Sequence, residues 1–172
     1  GCDVVDVMLD LAVSENLETE FSLTNFLHVD PQGVTAILSD PNIHVGARDG
    51  GAHVGSFSTF GDTGYLFSEF VRGTKSLSLE AAVKKITLDP AQIWKLQGRG
   101  LLAAGNAADV VGFDADRIGR GPELASDDFP GDGIRWIRRQ EGIDTVVVNG
   151  EITWTAADGY APDARAGQIT TR

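Results

Sequence analysis

The chain has 172 residues, with 14 Lys+Arg against 25 Asp+Glu and a formal net charge of −11. That balance argues against a nucleic-acid partner, because affinity for phosphate backbones is assembled largely from Lys and Arg. No apolar run approaches the ~18 residues that would span a membrane, and the single cysteine, Cys2, excludes an intrachain disulfide and a Cys-rich zinc site.

Hydrophobic residues make up 42% and charged residues 23%, the composition of a globular domain with a real core. With one cysteine and no basic, apolar leader, a reducing cytoplasmic home is expected. Glycine occurs 21 times, so many turns are expected. The chain opens on Gly1 directly inside a predicted helix, which reads as a piece of a longer protein; removal of an initiator Met before Gly1 is the alternative.

Residues 3–15 predict a helix, with Val4, Met8 and Leu11 at helical spacing and Asp3, Asp6 and Asp10 as an acidic stripe that reads as a solvated face. Residues 18–27 alternate like a strand, with Phe21 and Leu23 on one side. Asp30-Pro31 supplies an N-cap and a first-turn proline for a short helix burying Val34, Ile37 and Leu38, stopped by Asp40-Pro41. Residues 43–48 form a second strand, and this strand–helix–strand order implies a parallel pair with a right-handed crossover.

Beyond the Gly/Ser/Thr-rich loop that runs to about residue 64, residues 65–72 look helical. Ser78 caps the next helix, with Leu79, Val83 and Ile86 on one side, and Asp89-Pro90 breaks it and starts a further short helix that Gly98 closes. Residues 107–114 read as a strand around Val110, Val111 and Phe113, and residues 115–133 as polar and irregular. Residues 145–148 and 151–154 flank Asn149-Gly150, a type I′ hairpin signal because both central residues need positive φ. Residues 158–172 read as a turn-rich surface tail.

Asp49 is the main candidate for chemistry. It ends a predicted parallel strand, where α/β folds place ligands and catalytic groups, and Gly50 and Gly51 let the backbone approach a substrate closely. A carboxylate there can ligate zinc or take a proton from water; Asp-Gly-Gly is equally ordinary turn chemistry. His53 could ligate a metal, bind a substrate or cap the loop, and with Asp49 it could form a metal-free dyad, though no nucleophile joins them. His28 and His44 read as structural histidines. No His-x-His or His-x-x-x-His pair occurs, so this chain does not build a His-rich metal site by itself. Neither a Gly-x-Ser-x-Gly elbow nor a phosphate-binding loop is present, and Gly98-Arg-Gly100 follows a helix, not a strand. Arg72 and Lys75 could hold a carboxylate but read more readily as solvated charge, and Arg135, Arg138 and Arg139 beside Trp136 read as a local ion-pair patch.

Several strings converge on one family. Leu9-Asp-Leu-Ala12, Asp40-Pro-Asn-Ile-His-Val-Gly46, Asp49-Gly-Gly-Ala-His53, Thr87-Leu-Asp-Pro90, Gly100-Leu-Leu-Ala-Ala-Gly105, Ala107-Ala-Asp-Val-Val111 and Asp144-Thr-Val-Val-Val-Asn-Gly150 resemble, in consistent order, the late part of the N-acyl-D-amino-acid deacylase (D-aminoacylase-like) group of metal-dependent amidohydrolases. The resemblance implies an α/β fold: the last two β/α units, strands 7 and 8, of a TIM-like barrel in residues 1–100, then a small β-rich, sandwich-like segment in residues 101–172. A complete barrel takes about 250 residues, so the barrel here is incomplete.

By the same resemblance Asp49 is the carboxylate that approaches the metal and activates the hydrolytic water. His53, Gly50 and Gly51 belong to the substrate-binding motif, with His53 either meeting substrate or bracing the loop. Arg48 stands where the family usually has a small Ser, and a guanidinium beside the carboxylate lowers its basicity.

The implied cofactor is zinc in the intact enzyme, with no stable binding expected from this chain alone. The implied substrate is an N-acyl amino acid or other amide. The expected partner is the missing N-terminal barrel segment or a second copy, with neither nucleic acid nor membrane as a target. A non-catalytic remnant or assembly module, pairing through exposed barrel edges, is the alternative.

Overall fold

The computed structural model describes residues 3–21, 30–46, 52, 55 and 61–170. They show a mixed α/β arrangement that clusters into two units, residues 1–34 and 35–172, each described by itself.

In the first unit, α1 (Val4–Ser14) starts where expected, because the Val5 backbone N–H donates to Asp3 Oδ1 at 2.8 Å. It ends in two left-handed residues, Asn16 and Leu17, and the Leu17 N–H returns to the Ala12 carbonyl at 2.7 Å. No residue of α1 is buried. The helix α2 (Pro31–Ser39) is capped by Asp30, whose Oδ1 accepts from the Gly33 N–H at 3.0 Å. Ile37, expected inward, is 52% exposed, whereas Val34 and Leu38 are half-buried.

Residues 18–21 and 43–46, the described parts of the two expected barrel strands, lie in no strand. Residues 22–27 and 47–48 lie outside the described residues. A parallel strand needs a laddered neighbour, and every pairing among the described residues is antiparallel and made by later segments.

The second unit gathers its core around one helical run. The predicted 65–72 helix is a short α3 (Asp62–Tyr65) continued by a π-helix, Leu66–Gly73. The wide turn closes where the Thr74 N–H donates to the Glu69 carbonyl at 2.7 Å. Leu66, Phe67 and Phe70 from this run are buried with Ala82, Ala91 and Ile118. Phe67 stacks at a tilt on Phe113, 5.5 Å between centroids, and Tyr65 meets Phe70 edge-on at 6.0 Å.

Ser78 caps α4 (Leu79–Ile86) as expected, its Oγ accepting from the Ala81 N–H at 3.2 Å. The break before α5 (Leu88–Ile93) falls at Thr87, so Asp89 and Pro90 sit in the first turn of α5, where a missing N–H costs nothing. Gly98 does not close α5. Lys95 does, in the left-handed region, with Leu96 N–H on the Ala91 carbonyl at 2.8 Å and Lys95 N–H on the Gln92 carbonyl at 3.2 Å.

The β-rich half holds two antiparallel sheets. One has the order β1 (Val110–Phe113), β4 (Ile143–Val148), β5 (Glu151–Thr155), β6 (Gly159–Tyr160). Its β4–β5 turn is the predicted Asn149-Gly150, with φ of 48° and 85°. The other sheet is β2 (Gly119–Phe129) paired with β3 (Gly133–Glu141). This hairpin corrects the expectation that residues 115–133 are irregular. Charge pairs across the ladder, not apolar alternation, hold it: Arg135 on Asp128 at 2.6 Å and Arg138 on Glu123 at 2.6 Å.

Candidate functional site

Asp49, Gly50, Gly51 and His53, with Arg48 and His28, lie outside the described residues. What the structure does show is how the chain enters and leaves that segment. On the entry side, α2 ends in a tight turn. The Ile43 N–H donates to the Asp40 carbonyl at 3.2 Å, and Asn42 donates from its backbone N–H and its Nδ2 to Asp40 Oδ1 at 2.8 and 3.1 Å. His44 follows in an exposed stretch.

Lys85 secures this turn from α4. Its Nζ donates to the carbonyls of Asp40 at 3.2 Å and Ile43 at 2.9 Å, and the residue is 7% exposed. Sequence reasoning passed over Lys85. The available signal was its position three residues beyond Ala82, which is fully buried on the inward side of α4.

On the exit side, Gly61 is buried and left-handed, φ 86°, with the Arg120 side chain against it. The guanidinium of Arg120 lies over the Tyr65 ring, 4.6 Å from its centroid. Arg72 then ties the π-helix to the β1–β2 connection, donating to the Ala115 carbonyl at 3.2 Å and to the Ile118 carbonyl. Arg72 is therefore engaged with backbone rather than free for a carboxylate ligand. Lys75 is exposed and left-handed, φ 53°.

The remaining motif residues resolve as structure. Arg99 pairs with Asp109, whose other oxygen accepts from the Asn149 N–H at 2.8 Å. Arg135 and Arg138 form the expected ion-pair patch. The bidentate Arg135 guanidinium pushes the Asp128 carboxyl down to about 2. Arg117 likewise holds Asp114 below its ordinary value through a hydrogen bond at 2.6 Å.

Among the described residues no group of three His, Cys, Asp or Glu could hold a metal ion. The acidic stripe of α1 is exposed, and Asp3 serves as its helix cap. The described residues thus do not fit a zinc centre. Among them no helix is long and apolar enough to cross a membrane.

The pattern of the Amidohydrolase family matches residues 13–154. An N-acyl-D-aspartate deacylase from Alcaligenes xylosoxydans xylosoxydans is 33% identical over 181 aligned positions, covering 98% of this chain and 32% of that protein. An N-acyl-D-glutamate deacylase from the same organism is 38% identical over 107 residues, 62% of this chain and 20% of that protein. A dihydroorotase from Lactobacillus johnsonii is 31% identical over 105 residues, 59% and 24% of the two chains. The chain thus spans about a fifth to a third of the length of these relatives.

Two crystal structures are also similar. One is a D-aminoacylase, at TM-score 0.47 and 28% identity over 66% of this chain and 22% of that one. The other is an N-acyl-D-glutamate deacylase from Bordetella bronchiseptica complexed with zinc and a phosphonate inhibitor, at TM-score 0.46 and 29% identity over 64% and 21%. With the family pattern running through 13–154, from the end of α1 to β5, this chain belongs to the amidohydrolase family.

Proposed function

We propose that the chain is the Asp49-bearing, C-terminal part of a hydrolase that cleaves the C–N amide bond of N-acyl-D-amino acids. The observation that supports this best is the family match over 13–154, joined to a deacylase relative aligned along 98% of the chain. The two deacylase relatives are named for N-acyl-D-glutamate and N-acyl-D-aspartate, so acyl-D-amino acids with an acidic side chain are the first substrates to test.

In this reading Asp49 accepts a proton from the attacking water as its oxygen adds to the acyl carbon. It returns that proton to the amine nitrogen as the C–N bond breaks, leaving a carboxylate and a free amino acid. Gly50, Gly51 and His53 line the substrate beside it. Zinc belongs to the reading as a Lewis acid with Asp49 among its ligands. The described residues by themselves do not fit it. The barrel units read from residues 1–100 and the β segment from 101–172 are part of the same proposal, as is a cytoplasmic location.

The reading also holds that the 172-residue chain is inactive alone and is completed by an N-terminal barrel segment. Asp49→Asn in the protein at its natural length will lower turnover of N-acetyl-D-glutamate by about 10² to 10⁴, the usual share of a proton-transferring group. Undiminished turnover in that variant would overturn the assignment of Asp49. Turnover by the 172-residue chain alone that vanishes in Asp49→Asn would overturn its inactivity.

A second reading, an assembly module, is favoured by one observation. The helix α1 exposes apolar side chains beside its acidic stripe, among them Val4 at 73% and Val13 at 70%. In that case a second copy of the chain covers them.

A further inference from the structure

We propose that Asn149 is a deamidation site whose conversion releases the C-terminal tail, residues 162–170. Among the asparagines of the chain only Asn149 is followed by glycine. Glycine has no side chain to screen its backbone nitrogen, so Asn-Gly is the pair that cyclises most readily. Here it makes the β4–β5 turn, with Asn149 half-buried and Gly150 exposed, so water reaches the site.

One hydrogen bond ties the tail to the sheet. The Ala161 N–H still donates to the Thr153 carbonyl at 2.9 Å, but beyond it the bonds turn inward. The Ala164 N–H donates to the Ala161 carbonyl at 3.3 Å, and Arg165 donates to the carbonyls of Pro162 at 3.2 Å and Ala164 at 2.8 Å. The exception is Asn149, whose Nδ2 donates to the Ala166 carbonyl at 2.5 Å. Ala164 and Ala166 are half-buried there, while the tail residues on either side of them are exposed.

The reaction needs only water. The Gly150 nitrogen gives its proton to solvent base and attacks Asn149 Cγ. The N–Cγ bond forms, the Cγ–Nδ2 bond breaks, and Nδ2 takes up a proton and leaves as ammonia. Water then opens the cyclic imide at either carbonyl, giving Asp or β-linked isoaspartate at 149. Both products replace the Nδ2 donor with an oxygen that only accepts, opposite the Ala166 carbonyl, which also only accepts. Asp109 Oδ1 already accepts from the Asn149 N–H at 2.8 Å, so the new carboxylate adds like charge beside Asp109. In the intact turn both reacting groups are engaged, the Gly150 N–H on the Ala108 carbonyl at 2.9 Å and Nδ2 on Ala166. Attack therefore waits for local opening, and the tail contact guards the site that later frees it.

The test incubates the protein at its natural length in mildly alkaline buffer and follows each asparagine by peptide mapping. Asn149 is expected to convert to Asp and isoaspartate ahead of every other asparagine, at about a tenth to a hundredth of its rate in urea-unfolded protein. In the converted fraction, and in Asn149→Asp, trypsin should cut after Arg165 about fivefold faster or more, the worth of one lost hydrogen bond. Cutting after Arg139 in β3 should not change. A variant ending at Pro162, which lacks the guard, should deamidate several-fold faster. A folded protein in which Asn149 outlasts the other asparagines would remove the site. Unchanged cutting after Arg165 in both the converted protein and Asn149→Asp would remove the release of the tail. An unchanged rate in the variant ending at Pro162 would remove the guarding contact.

Discussion

At the residue scale, several positions are set by contacts that admit no substitute. Gly142 joins β3 to β4 with φ 73°, and a Cβ there would come within 2.3 Å of the Ile118 backbone nitrogen. Both the left-handed conformation and the close approach exclude a side chain. Gly142→Ala is expected to destabilise the fold by about 2 kcal/mol or more, the scale of an overpacked core position, seen as a lower denaturant midpoint at constant slope. An unchanged midpoint would mean that the β3–β4 junction relaxes freely. The caps at Asp30 and Ser78 were legible in the sequence, because a polar side chain before an apolar helical stripe has one economical local use, whereas Asp3, read as part of the acidic stripe inside the helix, is its cap. Lys85 was not legible, because its partners are backbone carbonyls about forty residues earlier in the chain.

At the scale of elements, the β2–β3 hairpin shows how a polar stretch can still be a strand pair. Its outer half is mostly exposed and draws on ion pairs. The Asp128–Arg135 pair carries a pH signature. Asp128 is pushed down to about 2, below the ordinary carboxylate value of about 3.9. A group whose folded pKa is depressed contributes stability that is complete above its unfolded value and lost as pH falls toward its folded one. The pair's contribution is therefore present from neutral pH down to about 4 and fades between there and about 2. Denaturant midpoints across that window should fall less steeply in Asp128→Asn than in the parent. Identical slopes would show that the pair does not couple to folding.

Taken whole, the molecule has few fully buried side chains among its described residues, and they concentrate between the π-helix, α4, α5 and the start of β2. Away from that core, apolar side chains stay open, with Leu17 at 76% and Leu102 at 71% exposed. Exposed apolar side chains in this number favour association. The isolated 172-residue chain is therefore expected to self-associate or to bind an apolar-surface dye. Sizing that finds a monodisperse, dye-silent monomer would count against both an incomplete barrel and an assembly module.

Local chemistry in the sequence determined the caps of α2 and α4, the Asn149-Gly150 hairpin, the helices before residue 100 to within a few residues, and a family resemblance carried by short strings in order. Each of these depends on neighbours in the chain, so one sequence holds the whole signal. Tertiary structure alone decided the β2–β3 pairing, the left-handed close of α5 at Lys95, the engagement of Arg72 with backbone, and the burial of Lys85. Those outcomes rest on partners far away in sequence, where the energy of a contact is set by which surfaces meet and not by the pattern of either one alone.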